Sequence, residues 1–333
     1  MRPVGVPTLL ANTRLAAATG LLRQQSETAR TEVVTGRLSD LPRALGAGVS
    51  EALSLRGALD LVAVRREALA QANLVATAAQ QALGDIAVGA SSLATAALAA
   101  NGRADERALG ATALEARAAL ETTFNRLNVR VAGQAIFAGD FTDRAPLGDS
   151  GALLSDVAGI FSAAASAAQF EADLDFYFND PSGAFLTSIY RGGVGDAPTY
   201  EISAGERLGV TGRADEQAVK DLLRGLATLA VAGAAPPSPL RGAALSGAAT
   251  AAIAGADGVT DLRAAIGIAQ QRAAAAGESL TIEEAALTEA YNEKTARDPF
   301  EAASRLRALE AQLDASYVLT SRLAQFSLVN YLR

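Results

Sequence analysis

The chain of 333 residues contains no cysteine, no histidine and no tryptophan. Without cysteine there is neither a disulfide framework nor a thiolate metal site, and without histidine there is no imidazole base and no imidazole zinc ligand. Ser-His-Asp and Cys-His catalysis are excluded with them. A basic surplus is also missing. The formal net charge is −7 and no dense Lys/Arg run offsets it, so the phosphate contacts that nucleic-acid binding depends on are not expected. Long apolar runs are absent too. The alanine-rich stretches are broken by Asp, Arg, Gln or Pro short of the roughly 18 apolar residues that cross a bilayer, and no membrane insertion is expected. At the start, Pro3, Pro7, Asn12 and Arg14 interrupt the apolar core that a cleaved signal peptide needs.

Half the residues are hydrophobic while only 5% are aromatic, so Ala, Leu, Val and Ile carry the apolar surface. This composition suits long helices packed at close range, since alanine has the highest helix propensity and the smallest helical side chain. The clearest pattern is a heptad seam through Leu55, Val62, Leu69, Ala76, Leu83, Ala90 and Ala97. Three residues after each lie Ala58, Arg65, Ala72, Ala79, Ile86, Leu93 and Ala100, so the 3-4 alternation fails only at Arg65. Asn101-Gly102 predicts the end of that helix. A second follows with Leu109, Ala113, Ala116, Leu120, Thr123 and Leu127 on one face, and the short link between them implies an antiparallel pair.

The same period returns from Val259 through Leu262, Ile266, Ala269, Ala273, Ala276, Leu280 and Leu287 to Ala290. Asp298-Pro299 then predicts a cap and first turn for a last helix through Leu306, Leu309, Leu313, Leu323 and Phe326. Near the start, Leu15, Leu22, Ala29 and Val33 form a thin stripe with Thr19 and Ser26 between them, too little to hold a helix alone. That helix needs a partner, and the C-terminal helix is the expected one. Between these regions the texture changes to Gly/Pro punctuation and clustered aromatics. Segments 170–180, 184–190 and 199–205 read as strands and 214–232 as a helix.

The expected fold is therefore mainly α: an elongated antiparallel coiled-coil helical bundle formed by the N- and C-terminal regions, with a small inserted α+β domain. The expected divisions are terminal helices at 1–40 and 315–333, a bundle at 41–141 and 258–314, and an insertion at 142–257. Three motifs that could carry chemistry read better as scaffold. The run from Arg191 to Gly195 lacks the Lys-Ser/Thr ending of a phosphate loop and reads as a turn. Asp173, Asp175 and Asp180 lack the Gly bend and closing Glu of a calcium loop. Glu283, Glu284 and Glu289 read as a polar helix face. No enzyme activity and no cofactor are expected.

Two separated stretches resemble a known family. Phe124–Asp143, above all the run from Ala132 to Gly139, and Asp298–Leu332, with Ala315-Ser316-Tyr317 and the closing Ser327-Leu328-Val329-Asn330-Tyr331-Leu332, are similar to the flagellin family and within it to hook–filament junction proteins. Glu32 to Arg37 resembles the end of the flagellin-type N-terminal helix. After Arg37 the run Leu-Ser-Asp-Leu-Pro-Arg departs from the pattern of filament flagellins. The resemblance implies a structural subunit joining hook to filament, exported unfolded through the flagellar type III apparatus and located outside the cell on the flagellum. Implied partners are other copies of itself, a neighbouring hook-associated protein, flagellin and an export chaperone. A divergent filament flagellin is the alternative within the family, and a coiled-coil scaffold inside the cell the alternative outside it. Expected assembly residues are Leu15, Leu22, Val33, Leu313, Leu323, Phe326 and Leu328.

Overall fold

The computed structural model describes the backbone of residues 6–331 and the side chains of residues 13–322. The chain is mainly α, with long helices packed antiparallel and two small two-stranded sheets. Its helices are α1 (Val6–Thr35), α2 (Leu41–Leu45), α3 (Val49–Gly102), α4 (Glu106–Leu127), α5 (Ser150–Ala163), α6 (Ala167–Asn179), α7 (Gln217–Ala234), α8 (Pro239–Thr295) and α9 (Pro299–Tyr331). Strands β1 (Arg130–Val131) and β2 (Gln134–Ala135) form one antiparallel hairpin, β3 (Thr199–Ser203) and β4 (Glu206–Gly209) another. The chain divides into two compact units, one of Met1–Ala63 with Thr281–Arg333 and one of Val64–Leu280.

In the second unit the heptad seam of α3 is the buried face. Leu69, Ala72, Ala76, Ala79, Leu83 and Ile86 are buried and the seam continues so to Ala100. Arg65, where the alternation fails, is partly covered and reaches the β3–β4 hairpin through an ion pair with Glu201 at 3.5 Å. Helix α8 runs antiparallel to α3. Gln80 donates to the Arg263 carbonyl at 2.6 Å and Asn101 to the Gly242 carbonyl at 3.0 Å, so the step up one helix is matched by an equal step down the other. All six residues expected on the inner face of α4 are buried, and Arg126 pairs back to Asp85 at 2.9 Å, as an antiparallel α3–α4 hairpin requires. One 18-residue window within residues 41–102 is apolar enough to cross a membrane by length and composition, because alanine raises mean hydropathy while adding little area; the seam itself is covered by protein.

The resemblance motif is the hub of this unit. Ala135, Ile136, Phe137 and Ala138 are buried. Their carbonyls and amides hold three separate segments: Ala135 N–H donates to Thr142, Phe137 C=O accepts from Ala214 and Ala138 C=O from Gly193. Gly139 follows with φ +62°, and a Cβ there would stand 2.7 Å from the Gly195 carbonyl oxygen and 2.8 Å from that of Gly193. Only glycine fits.

Two expected strands are helical. Segment 170–180 lies in α6, where Phe170, Leu174, Tyr177 and Phe178 are buried and Phe176 is exposed. The apparent alternation of aromatics hid a 3-4 spacing. Ser166 caps the helix by accepting from Gln169 N–H at 3.2 Å, and the Gln169 side chain reaches back to Ala165 N–H, a start signal that the strand reading passed over. Phe185–Ile189 is one wide helical turn burying Phe185 and Ile189 rather than a strand. The strand at 199–203 and the helix at 217–234 fall where the pattern placed them.

Candidate functional site

In the first unit the two chain ends meet as an antiparallel pair, α1 against α9. The sequence explains why they need each other. Among the described residues their shared seam is made mostly of small and polar groups, with Leu309 the large apolar exception: Thr19, Ser26 and Ala29 are buried on α1, and Ala302, Leu309 and Ser316 on α9. Thr19 donates its hydroxyl to the Leu15 carbonyl at 2.8 Å and shares a 2.8 Å contact with Ser316 Oγ across the joint. Arg23 donates to the Tyr317 hydroxyl at 2.7 Å, and Arg30 pairs with Glu310 at 3.2 Å. Such a seam buries little apolar area, so the pair gains only modest stability from packing.

Where α1 ends, the pair is fastened. Gly36 takes φ +67° and lets the chain turn back, after which Leu38 N–H donates to Thr295 C=O and Arg297 N–H to Gly36 C=O, each at 2.9 Å. Arg37 donates to Asn292 Oδ1 at 2.8 Å. Glu32 is buried beneath this bridge; its Oε1 accepts from Ser39 N–H at 3.3 Å and its Oε2 lies 3.9 Å from Arg297 Nε. Asp298 then caps α9 by accepting from Phe300 and Glu301 N–H at 2.7 and 3.0 Å, with Pro299 in the first turn as expected.

The expected assembly residues fall into three groups. Leu15, Leu22 and Leu313 are half-buried beside the α1–α9 seam. Val33 is exposed, because at that turn the returning linker covers Glu32 instead. Leu323, Phe326 and Leu328 lie outside the residues whose side chains are described. On the outer surfaces of the pair, Leu21, Val34, Phe300, Val318 and Leu319 are exposed apolar side chains. Sequence reasoning missed the Glu32–Arg297 pair; its signal was a carboxylate one place from an apolar stripe.

Beside the pair lies a cleft of about 360 Å³, lined by α1 residues from Leu21 to Glu32, by Leu38, Asp40, Arg43 and Ala44, and by Arg297 and Arg305. Its walls are mostly polar.

The motifs that could have carried chemistry are tied into the fold. The loop from Arg191 to Gly195 ties three of its amides into the fold: Arg191 N–H donates to Pro146 C=O, Gly193 N–H to Ala138 C=O and Gly195 N–H to Asp140 Oδ1 at 3.2 Å. Asp175 lies 3.6 Å from Arg224 on a helix, and Asp180 accepts from Ser182, whose hydroxyl and amide hold its carboxyl below the usual range. Burial pushes the hydroxyls of Tyr177 and Tyr190 well above their ordinary range, reinforced by Asp156 and Asp215 respectively. Tyr177 donates to Asp156 at 2.8 Å and Tyr190 to the Gly193 carbonyl at 2.9 Å. Among the described residues no group of three or more acidic side chains is placed to hold a metal ion.

No curated protein matches the chain. Residues 249–332 match the family described as the bacterial flagellin C-terminal helical region, which runs through the last two helices, and this part of the chain supports the flagellin family.

Proposed function

We propose that this chain is a structural subunit of the bacterial flagellum that joins hook to filament, acting by helix packing between copies and without catalysis or cofactor. The observation that carries the reading is the α1–α9 pair: among the described residues its internal seam is mostly small and polar, while Val34 and Phe300 are 85% and 82% exposed on its outer surfaces. Two helices that bury so little between themselves gain most from neighbours that cover the remaining apolar side chains. The flagellin match spans one of the two helices completely within its described backbone. Export through the flagellar apparatus, an extracellular place on the flagellum, and contacts with a hook-associated protein, flagellin and an export chaperone belong to this reading.

Filament flagellin is the second reading, favoured by the family of the C-terminal match. Deletion in the parent cell separates the two. Bare hooks with flagellin shed into the medium identify a junction subunit, hooks lacking filament with no shed flagellin identify flagellin, and unchanged flagella reject both.

A further inference from the structure

The cleft of the first unit carries two arginines at its rim. Arg43 and Arg305 are exposed, and neither guanidinium has an ion-pair partner among the described residues. At its floor, Glu32 is 5% exposed, and its Oε2 meets Arg297 Nε only as an ion pair at 3.9 Å, neither atom having a hydrogen-bond partner. A buried carboxylate short of a hydrogen bond at the floor of a cleft is unusual, and exposed guanidinium groups at its rim are free to pair with the carboxylates of an incoming partner.

The same unit offers a face of opposite charge. On α8 the residues Ile282, Ala286, Glu289 and Glu293 recur at helical spacing on one face, and all four are exposed. Ile282 is 72% exposed. Neither Glu289 nor Glu293 has an ion-pair partner among the described residues. One apolar side chain followed by two carboxylates complements a cleft that has Leu21 and Leu38 beside Arg43 and Arg305.

We propose that the α1–α2–α9 cleft of one copy receives the Ile282–Glu293 face of α8 from a second copy. This is a head-to-tail contact between two different surfaces of one chain, which propagates from copy to copy until it closes a ring or continues as a filament. The inference rests on the reading of the chain as a self-assembling subunit, and it supplies that reading with a charged contact that adjoins the apolar surface of the terminal pair at Leu21. A free polyanion fits less well, because Glu32 and Asp40 share the cleft with the arginines. Charge pairs at the rim of such a contact set its register and make it sensitive to salt.

Charge reversal tests it on the purified full-length chain. One variant carries Glu289→Arg with Glu293→Arg, the other Arg43→Glu with Arg305→Glu, and circular dichroism checks that both keep the helical content of the parent. Each alone is expected to lose self-association by at least about tenfold in sedimentation, and an equimolar mixture to regain it, because reversed face then meets reversed cleft. Variants that associate as the parent does overturn the cleft contact and leave assembly through the terminal helices standing. Loss without recovery on mixing overturns this pairing of surfaces. A parent chain that does not self-associate at any concentration overturns both the contact and the reading beneath it. Unchanged self-association with lost binding to another flagellar subunit assigns the cleft to that subunit and overturns the second copy as its occupant.

Discussion

Thr19 and Ser316, almost the full length of the chain apart in sequence, share a 2.8 Å hydrogen-bond contact in the buried joint of α1 and α9. Because the Thr19 proton goes to the Leu15 carbonyl, Ser316 is the donor across the joint. A seam built on such contacts contributes about 1 kcal/mol for each hydrogen bond, less than a buried Leu layer would. Hydrogen exchange of the dilute chain is therefore expected to be at least about tenfold faster in residues 13–35 and 299–322 than in residues 69–93 of α3. Equal protection in the two regions would mean that the pair is as stable alone as the α3 seam.

Glu32 and Arg297 form the most buried charge contact of the joint among the described residues, with side chains 6% and 24% exposed at 3.9 Å. Removing the cation strands a buried carboxylate, whereas removing the carboxylate leaves Arg297 with Glu301 at 3.4 Å. Arg297→Ala is expected to cost about 3 kcal/mol and Glu32→Gln about 1–2 kcal/mol. Thermal denaturation of the two variants and their combination checks the order. A larger loss in Glu32→Gln would locate the main interaction at Ser39 N–H instead.

Helices with long seams were legible in the sequence, and the aromatic cluster was not. The α3 and α4 patterns succeeded because packing repeats each turn and many positions vote together, so that one exception at Arg65 did not obscure the face. Segment 170–180 is too short for such averaging. Phe176 and Phe178 look equivalent in a period of two, yet one is exposed and the other buried, and only the Ser166 cap distinguishes the cases. The pairing of the chain ends was readable from what each end lacked. Glu32 and the cleft arginines were not, because their meaning depends on Gly36 turning the linker back over α1, a relation between segments that no local period encodes.

Gly139 stands where positive φ and close approach coincide. Gly139→Ala places a methyl group 2.7–2.8 Å from two carbonyl oxygens in a conformation that L residues avoid. It should destabilise the second unit by roughly 2–4 kcal/mol, read as a lower denaturant midpoint with an unchanged slope. Gly133, with φ +82° but open space around it, should lose only about 1 kcal/mol on the same substitution. Equal effects at the two glycines would remove close approach as the cause.

The buried Tyr177 hydroxyl sets a pH limit on the second unit. Its folded value is raised above the ordinary 10 by burial and by Asp156, so above pH 10 the unfolded chain loses a proton that the folded chain keeps. Stability from this group is thus fully present below pH 10 and declines as pH rises beyond it. Urea unfolding at pH 9 and pH 11 should show that decline in the parent, and a shallower one in Tyr177→Phe even though that variant starts less stable by about 1 kcal/mol for the lost bond to Asp156. An equal decline in both proteins would assign the alkaline sensitivity to other groups.

Val34 and Leu319 test whether the outer surface of the terminal pair is an interface. They are 85% and 55% exposed, so Val34→Asp and Leu319→Asp should change the stability of the isolated chain by less than about 0.5 kcal/mol. If copies pack over these side chains, each substitution buries an unpaired carboxylate in the joint, and incorporation into flagella should fall by at least about tenfold at unchanged export. Immunogold labelling of flagella beside the amount of protein in the medium reads both quantities. Normal incorporation of both variants would show that this face stays in water in the assembled structure, and would move the intermolecular contact to other surfaces of α1 and α9.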